Sequence, residues 1–132
     1  MLTGLNHITI ATDDLEKSFQ FYTEFLGMTP HAKWDAGAYL SLGSLWFCLN
    51  VDKSAPAKDY SHIAFSIASD EFEAMQQSLE KKGIRKWQEN HSEGDSLYLL
   101  DPDGHKLEIH VGDMQSRIAS MTPEKYQGLH IL

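Results

Sequence analysis

The feature that most constrains the fold of this chain is an internal duplication. Apolar and other residues alternate around His7, and the same alternation surrounds His62, 55 residues later. Each segment is followed by apolar residues at helical spacing, which end at Gly27 in the first copy and at Gly83 in the second. Because alternation is typical of a half-buried strand and glycine commonly ends a helix, each copy is predicted to begin with a strand and a helix.

Three further extended segments follow the predicted helix in each copy. The last two segments of the second copy are joined by a turn, Asp101-Pro-Asp-Gly104. Each copy is therefore predicted as β-α-β-β-β, and the fold class as α+β, with two paired modules whose curved mixed sheets surround a metal cavity. The extended segments lie near 29–34, 38–42 and 45–50 in the first copy and near 84–90, 96–100 and 105–111 in the second.

A length of 132 residues predicts one compact domain. Within it, module one covers about 1–50, a polar linker 51–58, module two about 59–112, and a C-terminal helical tail 113–132.

The composition excludes several classes of partner. Nineteen acidic residues against eleven basic ones give a formal charge of −8, which disfavours nucleic acid and anionic membrane surfaces. Cys48 is the only cysteine, and neither a secretory signal nor a membrane-spanning apolar run is evident. We therefore expect a soluble protein of the reducing cytoplasm, with no nucleic-acid or membrane partner.

A metal site is predicted from the polar faces of the strands. On the last strand Glu108 lies between the apolar residues Leu107 and Ile109, so its side chain points to the opposite face and can share a direction with His7 and His62. Two imidazoles and one carboxylate suit Mn, Fe, Ni or Zn and leave coordination positions open for a substrate. Each residue alone has an ordinary interpretation as a strand histidine or a solvated acid, but the repeated position favours a shared site.

The residues that carry this pattern also carry a family resemblance. The duplicated topology with His, His and Glu resembles the vicinal oxygen chelate superfamily, which has a glyoxalase-like fold. Several motifs are similar, more specifically, to those of the fosfomycin-resistance thiol transferases. These motifs are Leu5-Asn-His-Ile-Thr9, Gly43-Ser-Leu-Trp-Phe-Cys-Leu49, Asp59-Tyr-Ser-His62, Ser92-Glu-Gly-Asp-Ser96, Asp101-Pro-Asp-Gly-His105 and Leu107-Glu-Ile-His-Val-Gly112.

The resemblance implies a homodimer that binds Mn²⁺ through His7 of one subunit and through His62 and Glu108 of the other. The implied reaction is addition of a thiol, glutathione or a related one, to the epoxide of fosfomycin, which confers antibiotic resistance. Thr9 lies one strand period from His7 and is the implied catalytic residue, which supplies a hydrogen bond or proton to the reacting oxygen. Its ordinary interpretation is a strand-favouring threonine.

The resemblance also implies two sets of ligand-binding residues. A K⁺ loop is formed by Ser92, Glu93, Gly94 and Ser96, although a polar hairpin turn is an alternative interpretation. Arg117 is either a bidentate phosphonate ligand or a solvated residue of the tail. The implied substrate-binding set is Trp46, Cys48, Tyr60, Ser92, Ser96, Tyr98 and Arg117, and the implied thiol channel contains Trp34, Gln88 and His91.

Two departures from the family pattern bear on the reaction. Gln88 and His91 stand where glutathione-using members carry Lys and Arg, which puts the identity of the thiol in question. The hydrolytic branch uses a glutamate base near the position of Gly37, so thiol transfer is preferred here. The alternatives left open are a fosfomycin epoxide hydrolase, an extradiol-type dioxygenase with the same facial triad, and a metal-free antibiotic-binding protein.

Overall fold

The computed structural model describes residues 1–132, which divide into two compact units. The first unit contains Met1–Ser61 together with Leu100–Lys106, and the second contains His62–Leu99 and Leu107–Leu132. The turn at 100–106 groups with the first unit, although it lies in the predicted second module. The single domain and its module boundaries stay predictions.

The first unit has the predicted β-α-β-β-β order. Its four strands form one mixed sheet in the order β1-β4-β3-β2, in which β1 is parallel to β4 and the remaining neighbours are antiparallel. The elements are β1 (His7–Thr12), α1 (Leu15–Gln20) with a π-helical continuation (Phe21–Phe25), β2 (Thr29–Trp34), β3 (Gly37–Leu42) and β4 (Leu45–Val51).

The π-helical continuation of α1 is a departure from the single α-helix that the sequence predicts. The Leu26 N–H donates to the carbonyl of Phe21, five residues earlier, at 3.0 Å. The Thr23 hydroxyl donates to the Phe19 carbonyl at 2.7 Å and so competes for the acceptor that an α-helical N–H would use. The widened turn places two consecutive aromatic residues, Phe21 and Tyr22, in the core, where they are 1% and 0% exposed.

The two faces of the first sheet differ as the alternation predicts. One face carries core residues such as Ile10, Phe47 and Leu49, all buried. The strand register pairs His7 with Trp46 and Thr9 with Cys48 on the other face. Side chains at paired positions share a face, so this opposite face holds four of the residues predicted to belong to the site: His7, Thr9, Trp46 and Cys48.

The second unit repeats the architecture with shorter strands. Its sheet has the order β5-β8-β7-β6, and β5 is parallel to β8, as β1 is to β4. β6 has only three residues, and its pairing with β7 contains a register shift between Lys86 and Gln88. The elements are β5 (Ile63–Ser66), α2 (Ser69–Lys81), β6 (Lys86–Gln88), β7 (Ser96–Leu100), β8 (Lys106–His110) and α3 (Met114–Ser120).

Two four-stranded mixed sheets with three α-helices confirm the predicted fold class. In the C-terminal tail, α3 begins at a capping box formed by Asp113 and Ser116 and ends at Ser120. None of the helices combines the length and apolar character that crossing a bilayer requires.

Candidate metal centre

Two of the three predicted metal ligands meet in the second unit. His62 lies immediately before β5, and Glu108 lies on the adjacent strand β8, paired with Ala64. The distance from His62 Nε2 to Glu108 Oε1 is 3.1 Å. Two ligand atoms about 2.1 Å from one ion at a right angle lie about 3 Å apart, so this spacing fits a shared cation. Glu108 is only 7% exposed, and a carboxylate this buried requires partners.

The second oxygen of Glu108 already has a protein partner. The Ser96 hydroxyl donates to Glu108 Oε2 at 2.6 Å, and the same hydroxyl lies 2.6 Å from His110 Nδ1. The sequence predicted Ser96 as a ligand for an anion or K⁺, and these roles stay predictions. His110 was not singled out, although its position on the polar face of β8, two residues from Glu108, was an available signal.

The third predicted ligand, His7, lies in the first unit at the start of β1. Its Nδ1 is 2.7 Å from the Asn6 side-chain oxygen, and its ring lies 4.5 Å from the Trp46 ring. Because a carboxamide oxygen only accepts, Nδ1 is the donor in this contact, and in the neutral imidazole Nε2 then keeps the lone pair that a metal needs. The contact with Asn6 therefore favours the tautomer suited to ligation through Nε2.

An aromatic row extends from His7 across the first sheet. The Trp46 ring lies 5.2 Å from the Tyr39 ring, which lies 4.9 Å from the Trp34 ring, both in edge-to-face geometry. Tyr39 was not predicted as a site residue, although it pairs with Cys48 on the same face. The three aromatic side chains of the row are each about two-fifths exposed, whereas the Cys48 thiol is free and buried. These properties suit an accessible apolar surface for a ligand.

The predicted K⁺ loop and Arg117 do lie together in the second unit. The Arg117 guanidinium donates to Ser92 Oγ at 3.3 Å and to the Glu93 carbonyl at 3.4 Å, and its Nε lies 3.7 Å from Glu93 Oε1. Gly94 has a φ of +76°, which favours glycine at this turn. Arg117 therefore braces the loop, in addition to any role toward an anion.

Asn90 fixes the same loop and was missed at the sequence level. Its side-chain nitrogen donates to the Gly94 carbonyl at 2.8 Å, and its side-chain oxygen accepts from both the N–H and the hydroxyl of Ser92. An Asn two residues before a Ser-Glu-Gly turn is a recognisable Asx-turn signal.

The remaining predicted residues differ in exposure. Tyr98 is 4% exposed, its ring 6.3 Å from the His62 ring, whereas Tyr60 is 59% exposed. Gln88 is half-buried at the end of β6, and His91 is exposed. Trp87 was not predicted, yet its ring lies 5.3 Å from His62 and its indole N–H donates to the Leu107 carbonyl.

A second group of metal-type side chains, Asp101, Asp103 and His105, lies in the first unit with ligand atoms within 4.8 Å of one another. Its acceptors are already used. Asp101 accepts from the backbone N–H groups of Asp103 and His105 with one oxygen and from the Tyr22 hydroxyl with the other. His105 Nε2 is 2.7 Å from the Ala11 carbonyl, so this nitrogen carries a proton and not a lone pair.

Asp103 is satisfied in the same way. It accepts from the Asp13 N–H at 2.7 Å and from the Ser18 and Ser54 hydroxyls at 3.1 and 3.0 Å. Burial acts to raise the pKa of Asp103, but these donors outweigh it and lower the pKa below its ordinary value. The group fastens the turn at 101–105 and the linker to α1, so its role is structural.

Comparisons with known proteins identify the family of the chain. A sequence profile of the Glyoxalase/Bleomycin resistance protein/Dioxygenase superfamily matches residues 4–109. The chain is 48% identical to a glutathione transferase FosA from Serratia marcescens, with 98% of this chain and 95% of that protein covered. It is 38% identical to a metallothiol transferase FosB from Lysinibacillus sphaericus, with 92% of each covered.

A solved structure gives the same fold. It is a variant of the fosfomycin resistance protein FosX from Listeria monocytogenes in complex with Mn(II) and 1S,2S-dihydroxypropylphosphonic acid. Its TM-score is 0.81 at 27% identity, and the match covers 90% of this chain and 99% of that one. The profile match and the identities over nearly the whole length lead to one assignment: the chain belongs to the Glyoxalase/Bleomycin resistance protein/Dioxygenase superfamily and, within it, to the fosfomycin-resistance transferases represented by FosA and FosB.

Proposed function

We propose that this protein is a metal-dependent transferase that adds a low-molecular-weight thiol to the epoxide of fosfomycin and so confers resistance to it. The observation that carries the proposal is the convergence of His62 Nε2 and Glu108 Oε1 at 3.1 Å, in a chain 48% identical to a glutathione transferase FosA. The expected location is the reducing cytoplasm, where thiol cosubstrates stay reduced.

The proposed metal ligands are His7, His62 and Glu108. Two imidazole nitrogens and one carboxylate oxygen suit Mn²⁺ as well as Fe²⁺ or Zn²⁺, and we propose Mn²⁺ because a FosX structure contains Mn(II). When held by these three side chains, such an ion would supply Lewis-acid stabilisation of the negative charge that develops on the epoxide oxygen. The lone pair that His7 keeps on Nε2 and the buried, oriented carboxylate of Glu108 support this ligand set.

The remaining site residues bind the substrate and move its proton. In the reaction the C–S bond forms as one epoxide C–O bond breaks, and the proton lost by the thiol is balanced by a proton gained by the released oxygen. We assign the hydrogen bond to that oxygen to Thr9 Oγ1, because Thr9 shares the face of β1 with His7. Trp46, Cys48, Tyr60 and Tyr98 are the proposed walls of the substrate site.

The loop of Ser92, Glu93, Gly94 and Ser96 is the proposed K⁺ site. Arg117, with Ser92, is the proposed ligand of the phosphonate, whereas Ser96, whose single hydroxyl hydrogen is already donated to Glu108, is kept in the proposal as part of the K⁺ loop. The contacts of Arg117 and Asn90 with the loop support this role, because they hold its carbonyl and hydroxyl oxygens in one arrangement before any ion binds.

We infer a homodimer in which His7 is contributed by a second copy. His62 and Glu108 lie in one compact unit and His7 in the other, and the resemblance to the fosfomycin-resistance transferases implies a shared site. A two-fold related pair of chains would then form two equivalent sites.

The identity of the thiol depends on the channel proposed at Trp34, Gln88 and His91. The FosA relative is a glutathione transferase and the FosB relative is a metallothiol transferase, so glutathione and other low-molecular-weight thiols are both candidates. Gln88 and His91 contribute no fixed positive charge, which weakens attraction for an anionic tripeptide. We therefore propose glutathione as a substrate that is used less efficiently than in relatives with basic residues at these positions.

Hydration of the epoxide is the second candidate, since the FosX structure contains a dihydroxypropylphosphonic acid. The local packing favours thiol transfer. A Cβ atom at Gly37 would lie 2.5 Å from the Leu49 carbonyl and 2.9 Å from the Trp34 ring, so no carboxylate side chain fits at this position.

Product mass separates these reactions. Fosfomycin is incubated with the protein, Mn²⁺, K⁺ and glutathione, cysteine or water alone. We expect a thiol adduct, whereas a diol formed without thiol would assign the protein to the hydrolytic branch. The absence of turnover in all three reactions, with Mn²⁺ bound, would refute the proposed substrate, and an oxygen-consuming reaction of a catechol would favour a dioxygenase.

A further inference from the structure

The two oxygens of the Glu108 carboxylate have different surroundings. Oε1 faces His62 Nε2 at 3.1 Å, on the side proposed to bind the metal. Oε2 accepts from the Ser96 hydroxyl at 2.6 Å, and Ser96 Oγ is also 2.6 Å from His110 Nδ1. Ser96 is 8% exposed and the His110 side chain 15%, so water competes little for these contacts.

Counting protons determines the direction of this chain of contacts. A hydroxyl has one hydrogen, and an ionised carboxylate can only accept, so the Ser96 hydrogen points to Glu108. His110 Nδ1 must then donate to the Ser96 oxygen. If the ring were neutral with its proton on Nε2, Ser96 would have to serve two acceptors with one hydrogen. The direct separation of His110 Nδ1 from Glu108 Oε2 is longer, 3.4 Å, so Ser96 is the link between them.

We propose that His110 is a positioning residue for the metal site: its Nδ1–H donates to Ser96, whose hydroxyl donates to Glu108 Oε2 and thereby holds Oε1 toward the metal. This inference rests on the proposed metal site and extends it. Partners behind a metal-ligating side chain restrict its rotation and commonly determine metal affinity.

The backbone around His110 seats its ring. A Cβ atom at Gly94 would lie 3.0 Å from His110 Cε1 and 2.4 Å from the Val111 carbonyl, and one at Gly112 would lie 3.0 Å from His110 Nε2. Both glycines have positive φ, +76° and +131°, so these positions are unfavourable for other residues on two counts. On the far side, Glu93 Oε1 is 4.0 Å from His110 Nε2, too far for a hydrogen bond. The hydrogen bond from His110 Nδ1 to Ser96 is therefore the polar contact that orients the His110 ring.

The first test is spectroscopic and needs no metal. Long-range ¹H–¹⁵N NMR correlations of the metal-free, ¹⁵N-labelled protein report which nitrogen of His110 carries a proton. We expect a protonated Nδ1. A predominant neutral Nε2–H form would overturn the inference, whatever the activity of the protein.

The second test measures Mn²⁺ affinity from the EPR signal of the free ion. Ser96→Ala and His110→Phe should each weaken binding by roughly 10- to 100-fold. The double variant should bind about as well as Ser96→Ala, since both changes interrupt one chain. His110→Asn places a donor near the position of Nδ1 and should recover much of the loss, whereas a role in packing alone would not be rescued by Asn.

A matched control exists in the first unit. His31 Nε2 and Ser41 Oγ form an exposed histidine–serine contact of 2.7 Å, and His31→Phe should leave Mn²⁺ affinity unchanged. If the parent protein does not bind Mn²⁺, the proposed metal site is wrong. If the parent binds and the folded Ser96 and His110 variants bind equally well, the metal site stands and the positioning role is refuted.

Discussion

The buried hydrogen bond between Tyr22 and Asp101 makes a quantitative prediction about folding. The Tyr22 hydroxyl donates to Asp101 Oδ2 at 2.7 Å, and the two residues are 0% and 2% exposed. Burial, with the Asp101 charge, raises the pKa of Tyr22 well above its ordinary value, so the phenol remains a donor. Tyr22→Phe removes this one hydrogen bond while keeping the ring and its edge-to-face contact with Phe21.

The loss of stability follows from the geometry of the acceptor. Asp101 Oδ1 keeps its bonds to the N–H groups of Asp103 and His105, whereas Oδ2 loses the Tyr22 donor. Leaving a buried acceptor without a partner costs about 1–3 kcal/mol, and more for a charged group. For a chain of this length, the melting temperature should fall by roughly 3–6 °C per kcal/mol.

The cost should also depend on pH. Burial raises the pKa of the Asp101 carboxyl, although the Tyr22 hydrogen bond opposes this effect. A carboxyl whose pKa is higher in the folded state binds more protons there, so its contribution to stability falls as pH rises from the unfolded to the folded pKa. Removing the Tyr22 donor raises the folded pKa further. The loss of stability caused by Tyr22→Phe should therefore be larger near pH 7, where Asp101 is ionised, than near pH 4.

Urea unfolding followed by tryptophan fluorescence measures the free energy of unfolding of the parent and of Tyr22→Phe at each pH. All samples should have the same protein concentration, because the stability of a dimer depends on it. Tyr39→Phe makes the same chemical change at a tyrosine that is 40% exposed and should cost much less. In an Asp101→Asn background, which carries no charge, the pH-dependent part of the effect should disappear. An equal cost at both pH values, or a cost no larger than that of Tyr39→Phe, would refute the reasoning.

Three further predictions concern the proposed site. His62→Ala and Glu108→Ala should abolish tight Mn²⁺ binding without unfolding, as measured by calorimetric titration and circular dichroism; a variant that binds as tightly as the parent would remove that residue from the ligand set. A mixture of His7→Ala and Glu108→Ala chains should recover partial activity if His7 is shared between subunits, because a heterodimer keeps one complete site, whereas sites within one chain would stay inactive. Gln88→Lys with His91→Arg should lower the apparent KM for glutathione, because each added charge should strengthen binding by roughly 0.5–1 kcal/mol. This decrease in KM should become smaller as salt is raised, and a decrease that does not depend on salt would argue against an electrostatic cause.

Much of the architecture could be predicted from the sequence because strand and helix periodicities are local. The repeated spacing of His7 and His62 and of the helix-ending glycines predicted two copies of β-α-β-β-β. The alternation in β8 placed Glu108 opposite Leu107 and Ile109. These inferences need only neighbouring residues, since successive side chains of a strand point to opposite faces whatever the strand packs against.

Contacts between residues distant in sequence had to come from the tertiary structure. Tyr22 and Asp101 are 79 positions apart, and no local pattern indicates that the 101–105 turn groups with the first unit. The link from His110 through Ser96 to Glu108 depends on how β7 and β8 align, and alignment between strands is determined by packing of the whole sheet. The sequence by itself thus determined the faces and the candidate ligands. The tertiary structure decided which side chains hold those ligands in place, because hydrogen bonds of 2.6 Å require a precision that residue spacing does not encode.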